Sequence, residues 1–374
     1  MTEAGHQCRV TALVGRLTPC RSGGEIYNAY LFRAAEAEGI VLTYAVLIEA
    51  PLESRLAGRF VWRFRALPRS LYICWRAWRS QAPLLIDVWL APYLWPWALL
   101  SGRRCLLMVH HLRAHLEASP LRRGWLGWCE RLLVNRAEQI LTVSRSSRKQ
   151  IETLLRSPVP IGIVHPGFTR PRVETVKSKS GDGGVHLLYA GAVTRAKGVL
   201  DLLNALRRIP GEPPWVMHIV GNTEAEPETT RMLRQGIIAL PEPERVHVYG
   251  HVDDERLEAL YAMADLFVLP SRWEGYGIVF LEAMARGLPV VATTAGAIPE
   301  VVEHMRTGLL VAPGDAKGLA EALETTIADT PLRLRLGQAA HDAALGHADW
   351  GQMKQRCREW WQGVRSRDGL VESA

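Results

Sequence analysis

The stretch Leu266-Phe-Val-Leu-Pro-Ser271-Arg-Trp-Glu274-Gly-Tyr-Gly277-Ile-Val-Phe-Leu-Glu282-Ala-Met-Ala-Arg-Gly-Leu-Pro-Val-Val-Ala292 decides how this chain reads. Leu266–Leu269 is an apolar run too short for a helix and of the right length for a buried strand. A glycine-rich turn follows, then an apolar segment of helical length around Phe280–Ala285, then a second apolar run, Pro289–Ala292. Strand, loop, helix and strand in that order are the repeating unit of a parallel sheet. The spacing puts Glu274 in the loop and Glu282 about one turn into the helix. Apolar neighbours would half-bury Glu282, and a buried carboxylate needs partners. Carboxylates accept hydrogen bonds from sugar hydroxyls, a ribose diol included. Two ordinary surface glutamates are the plainer alternative.

The same alternation runs outward in both directions. Val10–Val14, Leu84–Val88, Leu106–Val109 and Ile140–Val143 read as strands in the first half, and Val185–Tyr189, His218–Val220 and Val246–Tyr249 in the second. Leu200–Arg208, Glu255–Ala264 and Leu319–Ala328 read as helices between them. This is an α/β chain with parallel sheets covered on both faces. Its 374 residues suit two domains. The pattern breaks only at 169–184 (TRPRVETVKSKSGDGG), which is polar and without apolar periodicity. The expected organisation is a first Rossmann-like domain over 1–170, a linker over 171–184, a second such domain over 185–345, and a closing segment over 346–374. Within that segment 349–367 reads as a basic amphipathic helix able to pack back on the first domain. Two such domains leave a cleft, and open parallel sheets bind ligands beyond the carboxyl ends of their strands.

Three further constellations sit at predicted strand ends. Gly191-Ala-Val-Thr-Arg195-Ala-Lys197-Gly198 follows strand Val185–Tyr189 directly. Arg195 and Lys197 at the mouth of a helix could neutralise a diphosphate, the guanidinium as a fork and the ammonium as a point charge. Gly23 and Gly24 follow the first strand and would let backbone approach a ligand closely. Neither place carries GxGxxG or GxxxxGK[ST], which weakens a nicotinamide or P-loop reading. His110 and His111 end the Leu106–Val109 strand, where an imidazole can donate into the cleft. Adjacent residues of extended chain point oppositely, so a metal pair is a poor reading.

Composition narrows the classes. The chain is 48% hydrophobic with 32 Gly in no fixed period, which excludes a disordered or collagen-like protein. Its six Cys contain no CxxC pair, so reduced thiols and the cytoplasm are expected. The N-terminus lacks the apolar core of a signal peptide. Val88–Leu100 is uncharged but too short to span a bilayer. Residues 1–170 hold 23 Lys and Arg (22 of them Arg) against 11 Asp and Glu, whereas the remainder holds 22 against 27. One half is strongly cationic and the other mildly acidic.

The second half resembles the GT4-like retaining glycosyltransferases of the GT-B fold, the group 1 glycosyltransferases. The resemblance rests on the Gly191…Arg195-x-Lys197-Gly198 loop, Leu266–Ser271, Glu274-x7-Glu282, Glu282–Ala292, Gly296-Ala-Ile-Pro-Glu300 and Gly308-Leu-Leu-Val, in the family's order over nearly all of 185–325. The first half matches less densely, at Gly23-Gly24, the His110 region, Val143-Ser144 and His165-Pro-Gly167. The resemblance implies two Rossmann-like domains and transfer of a sugar, with retention, from a UDP or GDP sugar as co-substrate. No metal is implied, because cations stand in for it. It implies that Arg195 and Lys197 hold the diphosphate, Glu282 the ribose and Glu274 the sugar hydroxyls. Gly191 and the Gly275-Tyr276-Gly277 backbone, with Ile278, would lie against the donor. His110 or His111 would contact its sugar, and Gly23 and Gly24 would admit its phosphates. Ala192 stands where many relatives carry Arg, leaving Arg195 and Lys197 to hold the phosphates, and Ala297 where a second Gly is frequent.

The acceptor implied is a saccharide or lipid-linked hydroxyl of an envelope polysaccharide, lipopolysaccharide or glycolipid. Residues 55–79 mix seven Arg with Trp62, Tyr72, Trp75 and Trp78, which suits an anionic membrane surface at the inner face of the cell membrane. No nucleic-acid motif appears. A GT-B-fold nucleotide-sugar isomerase and a non-catalytic sugar-nucleotide-binding protein are the competing readings.

Overall fold

The computed structural model describes residues 9–14, 23–46, 66–80, 82–102, 104–117, 119–171 and 184–367. The expected linker over 171–184 and the arginine-rich run 55–65 fall almost wholly outside the described residues. The chain divides into two compact units, one up to Gly167 together with Trp350 onward, the other Phe168–Asp349.

In the first unit the strands are β1 (Arg9–Val14), β2 (Val41–Val46), β3 (Leu84–Asp87), β4 (Cys105–Val109), β5 (Ala137–Thr142) and β6 (Ile161–Ile163). They form one sheet in the order β2-β1-β3-β4-β5-β6, every pairing parallel. The helices are α1 (Gly23–Ala37), α2 (Ala66–Arg79), α3 (Ala91–Leu100), α4 (Pro120–Val134) and α5 (Arg145–Leu154), joined by the last helix of the chain. Ser144 caps α5 by accepting from the Ser147 amide at 3.0 Å. Leu84 and Ile86 of β3 and Leu107 and Val109 of β4 point to one face, where α2, α3 and α4 cover them with Ile73, Leu94, Trp97 and Leu133. Val88–Leu100, the membrane-like run, is a 3₁₀ turn leading into α3, and no helix among the described residues is long and apolar enough to cross a membrane.

The second unit holds β7 (Val185–Ala190), β8 (Trp215–Val220), β9 (Val246–Gly250), β10 (Leu266–Leu269), β11 (Val290–Thr293) and β12 (Gly308–Val311), again all parallel, in the order β12-β11-β10-β7-β8-β9. Its helices are α6 (Val199–Leu206), α7 (Pro227–Ile238), α8 (Asp254–Met263), α9 (Ile278–Ala285), α10 (Ile298–Val301), α11 (Ala316–Ala328) and α12 (Thr330–Leu345). The central strands β7, β10 and β11 are buried at every residue, as a sheet covered on both faces requires. The last helix, α13 (Trp350–Arg367), packs on α1 in the first unit. Its Trp361 donates to the Leu31 carbonyl at 3.1 Å and its Arg365 to the Glu38 carbonyl at 2.8 Å. The basic face of that helix is therefore partly satisfied by the end of α1.

In both sheets the chain runs outward first to one side and then to the other. The reversal lies between β1 and β3 in the first unit and between β7 and β10 in the second. Such a switch point opens a crevice at the carboxyl ends of the two strands. Both expected sites lie there.

One feature away from those crevices, a histidine stack of which His186 and His218 are buried, sets an acid limit. His186, His218 and His247 stand on neighbouring strands β7, β8 and β9, with ring centroids 5.3 and 5.6 Å apart. His218 shares a 3.0 Å hydrogen bond with His186 and a 2.9 Å one with the Tyr249 hydroxyl. Burial, then the neighbouring His186, His247 and Arg256, push the His218 pKa down to about 4. The unfolded chain therefore binds a proton that the fold refuses. Stability falls as pH drops from about 6.5 towards 4, by at most about 1.4 kcal/mol for each step of one in pH. The unfolding midpoint should fall over pH 6.5–5, and His218→Gln should flatten that slope. Equal slopes for the two proteins would exclude the histidine stack as the cause.

Candidate active site

The second unit's crevice is built by two loops whose backbones touch. Gly198, with φ +70°, caps the start of α6, and a Cβ on it would lie 1.9 Å from the Pro270 carbonyl oxygen. Gly296, with φ +56°, would place a Cβ 2.2 Å from the Glu274 carbonyl oxygen. No side chain fits at either place. The Arg272 amide donates to the Ala196 carbonyl at 2.8 Å, and the Arg272 guanidinium forks onto Asp201 of α6 with two 2.7 Å bonds. The Ala297 amide donates to the Glu274 carbonyl at 3.0 Å, so Ala297 contributes only backbone to this turn.

Held this way, Lys197 donates to Glu274 Oε2 at 2.6 Å, and the Ser271 hydroxyl reaches the same oxygen at 3.3 Å. Both side chains are only partly exposed. Glu274 takes one of three N–H donors on Nζ. At the root of the same loop, the Tyr189 hydroxyl donates to the Ala192 carbonyl at 2.9 Å and the Gly191 amide to the Val220 carbonyl at 2.9 Å. Gly221, with φ +141°, ends β8 against Gly191, where a Cβ would lie 1.9 Å from the Gly191 carbonyl oxygen.

The other expected donor residues are more spread out. Gly277 adopts φ +95° as the cap of α9, which opens at Ile278, and a Cβ there would strike the Phe280 ring at 2.4 Å. Gly275 stands in the turn before it. Tyr276 is buried, its hydroxyl 3.1 Å from His347 Nδ1, so its side chain is engaged in packing. Glu282 keeps some exposed surface but is set deep enough that burial raises its pKa, against the pull of Arg286 and the Tyr261 hydroxyl 3.4 Å away. Arg195 does not join the Lys197–Glu274 pair. Its guanidinium is exposed and reaches Met232 Sδ on α7 at 3.5 Å, while its amide donates to Glu226.

In the first unit Gly23 and Gly24 form the first turn of α1 itself, where a helix beginning near Ile26 is expected from the sequence. Gly24 lies over the His110 ring, at ordinary contact distance for an added Cβ (3.5 Å). His110 Nε2 lies 2.7 Å from Asn28 Oδ1, and Asn28 Nδ2 lies 3.4 Å from the Asp87 carboxylate. Asp87 also accepts from the Trp89 amide at 3.0 Å. The carboxylate can only accept, so the Asn28 amide presents its NH₂ to Asp87 and its oxygen to His110. That assigns the proton to Nε2 and leaves Nδ1 as an acceptor. The expected donation from His110 is thus spent on Asn28, and the imidazole offers a lone pair instead. Burial lowers the His110 pKa to about 4 and raises that of Asp87. This corner is charge-poor, unlike the Lys197–Glu274 crevice.

Comparison with known proteins agrees with this architecture. The family model "Glycosyl transferases group 1" matches residues 173–343 and "Glycosyltransferase Family 4" matches 21–170. The chain belongs to the group 1, GT-B class of glycosyltransferases. It is 33% identical over 242 residues to the MMP alpha-(1->4)-mannosyltransferase of Mycolicibacterium hassiacum, covering 62% of this chain and 56% of that protein. It is 28% identical over 320 residues to the lipopolysaccharide core biosynthesis mannosyltransferase LpcC of Rhizobium leguminosarum bv. viciae, covering 81% and 86%. The matched stretch spans little more than half of the first of these relatives. In fold it is similar to Anabaena Alr3699/HepE, solved in complex with UDP-glucose, with a TM-score of 0.71 over 95% of this chain and 99% of that one at 21% identity.

Asn28, Asp87, Asp201, Arg272 and Gly221 were not legible as site residues. Only Gly221 left a sequence signal, a glycine directly after an apolar run. Gly198→Ala should cost about 2–4 kcal/mol of stability, because the clash is with backbone. Gly39→Ala, with φ +73° but open space around it, should cost only about 1–2 kcal/mol. Similar losses in denaturant unfolding would refute the close approach. Imidazole ¹⁵N shifts should show His110 neutral and protonated at Nε2 at pH 7, with Asn28→Ala mixing the two tautomers. An Nδ1-protonated His110 in the unmodified protein would refute the relay.

Proposed function

We propose that this chain is a retaining glycosyltransferase that moves a sugar from a UDP or GDP sugar to a hydroxyl of a saccharide or lipid-linked acceptor, without a metal ion. The observation that carries the reading is the Lys197–Glu274 pair, fixed by backbone contact at the switch point of the second unit. An ammonium there can bind a phosphoryl oxygen, and the carboxylate it meets can accept from sugar hydroxyls. Family membership supports transfer as the reaction. The UDP-glucose complex of HepE and the mannosyl transfer named for two relatives support a nucleotide-sugar donor. Retention comes from the family resemblance.

In the reaction the acceptor oxygen bonds to the anomeric carbon as the bond from that carbon to the diphosphate oxygen breaks. The acceptor proton passes to the departing phosphate oxygen. Negative charge grows on the diphosphate, so the most effective protein group is a cation held in place beforehand. Lys197 is that group. Arg195, exposed on its loop, can leave Met232 and add a fork to the phosphates at little cost, since surface rotamers exchange rapidly. Glu282, unusually easy to protonate, accepts from the ribose diol. His110, neutral and offering Nδ1, accepts from a sugar hydroxyl rather than donating to it.

Thermal-shift measurements with UDP, GDP and their sugars should raise the unfolding temperature for one base. With the donor so found, Lys197→Ala should lower transfer ~100-fold or more in a folded protein. Glu282→Ala should raise the donor KM more than it lowers kcat. Near-normal turnover by Lys197→Ala, or no shift with any nucleotide, would overturn the assignment.

A further inference from the structure

The helices α2, α3 and α4 lie side by side over one face of the first sheet. Their inner faces fill the core. A surface helix then ordinarily turns polar residues of both charge signs to water. These do not. On α4 Leu121 is 88% exposed, and Trp125 and Trp128 are both exposed and stacked with centroids 5.4 Å apart. Trp95 of α3 packs against both, at 5.9 and 5.7 Å. Leu100, at the end of α3, is 70% exposed. A rigid aromatic cluster flanked by protruding leucines is far more apolar surface than isolated exposed side chains provide.

The charges that these helices carry outward have one sign, and Glu117, just before α4, spends its carboxylate on the Ser119 amide at 3.1 Å and its carbonyl on Arg123 at 2.9 Å. The sequences of α2, α3 and α4 contain Arg and a single carboxylate, Glu130. Glu130 is buried and accepts from the Arg113 and Ala114 amides, so it offers nothing outward. Arg79 lies over the Trp75 ring at 5.2 Å, and Arg122 and Arg123 follow Leu121 on the exposed start of α4. We infer that this face docks on an anionic lipid bilayer, with the tryptophans at headgroup depth, Leu121 and Leu100 inserted below them, and the arginines against lipid phosphates. A second copy of this chain is a poor occupant, because a twofold contact would set arginine against arginine. The surface is separate from both crevices, so vesicle binding and sugar transfer can fail independently of each other.

Flotation of the full chain with phosphatidylcholine vesicles, with and without phosphatidylglycerol, tests it. Binding should require phosphatidylglycerol and weaken with added salt. Leu121→Asp and the double variant Arg122→Glu/Arg123→Glu should each lower the bound fraction ~10-fold or more, since each cation near an anionic surface counts for about a fivefold change in binding. Both substitutions are at exposed positions, so unfolding midpoints should stay unchanged. Equal binding to both vesicle types, no binding, or variants that bind normally would overturn it. So would self-association, or capture of an acidic protein, that Leu121→Asp abolishes while vesicle binding stays absent.

Discussion

The arrangement in the second unit depends on backbone meeting backbone where two loops leave adjacent strands. Gly198 against Pro270 and Gly296 against Glu274 leave no room for a Cβ, and both glycines sit at positive φ. Only that proximity lets the Arg272 amide reach Ala196 and Lys197 reach Glu274. A larger residue at either glycine would push the loops apart. The ammonium and carboxylate would then separate into solvent, where a pair of this kind contributes little. The ion pair is the consequence of the close approach, not its cause.

The two crevices are electrostatically unlike, and the difference follows from what each buries. In the second unit an ammonium and a carboxylate face each other at 2.6 Å. In the first, His110 is neutral because burial disfavours its charged form, and its proton position is set by Asn28 and Asp87. A fixed cation suits a phosphoryl group. A neutral imidazole whose Nδ1 keeps its lone pair suits a hydroxyl. The two crevices thus complement different chemical groups.

The charge imbalance between the halves has a physical location as well. Helices α2 and α4, with arginines outward and their single carboxylate, Glu130, buried, cover one face of the first sheet together with the uncharged α3, and α13 returns further cations to α1, where Glu38 pairs with Arg358. The second unit instead neutralises its arginines internally, as Arg272 with Asp201 and Arg286 with Glu258. Net charge alone does not distinguish these cases; the position of the carboxylates does.

Periodicity alone determined the class of fold, because strands buried on both faces must be continuous apolar runs, and the central strands β7, β10 and β11 are such runs. The strands it passed over, β2, β6 and β12, are all edge strands, and β6 and β12 are short and only partly buried. Spacing likewise determined that Glu274 lies in a loop and Glu282 in a helix. Tertiary structure decided which of the marked residues meet. Lys197 and Glu274 are 77 positions apart and touch because β7 and β10 are neighbours across a reversal of strand order. Arg195, two residues from Lys197, points elsewhere. Asn28 and Asp87 orient His110 although nothing in their local sequence marks them, since a hydrogen-bond relay belongs to the packing of α1, β3 and β4 and to none of them alone.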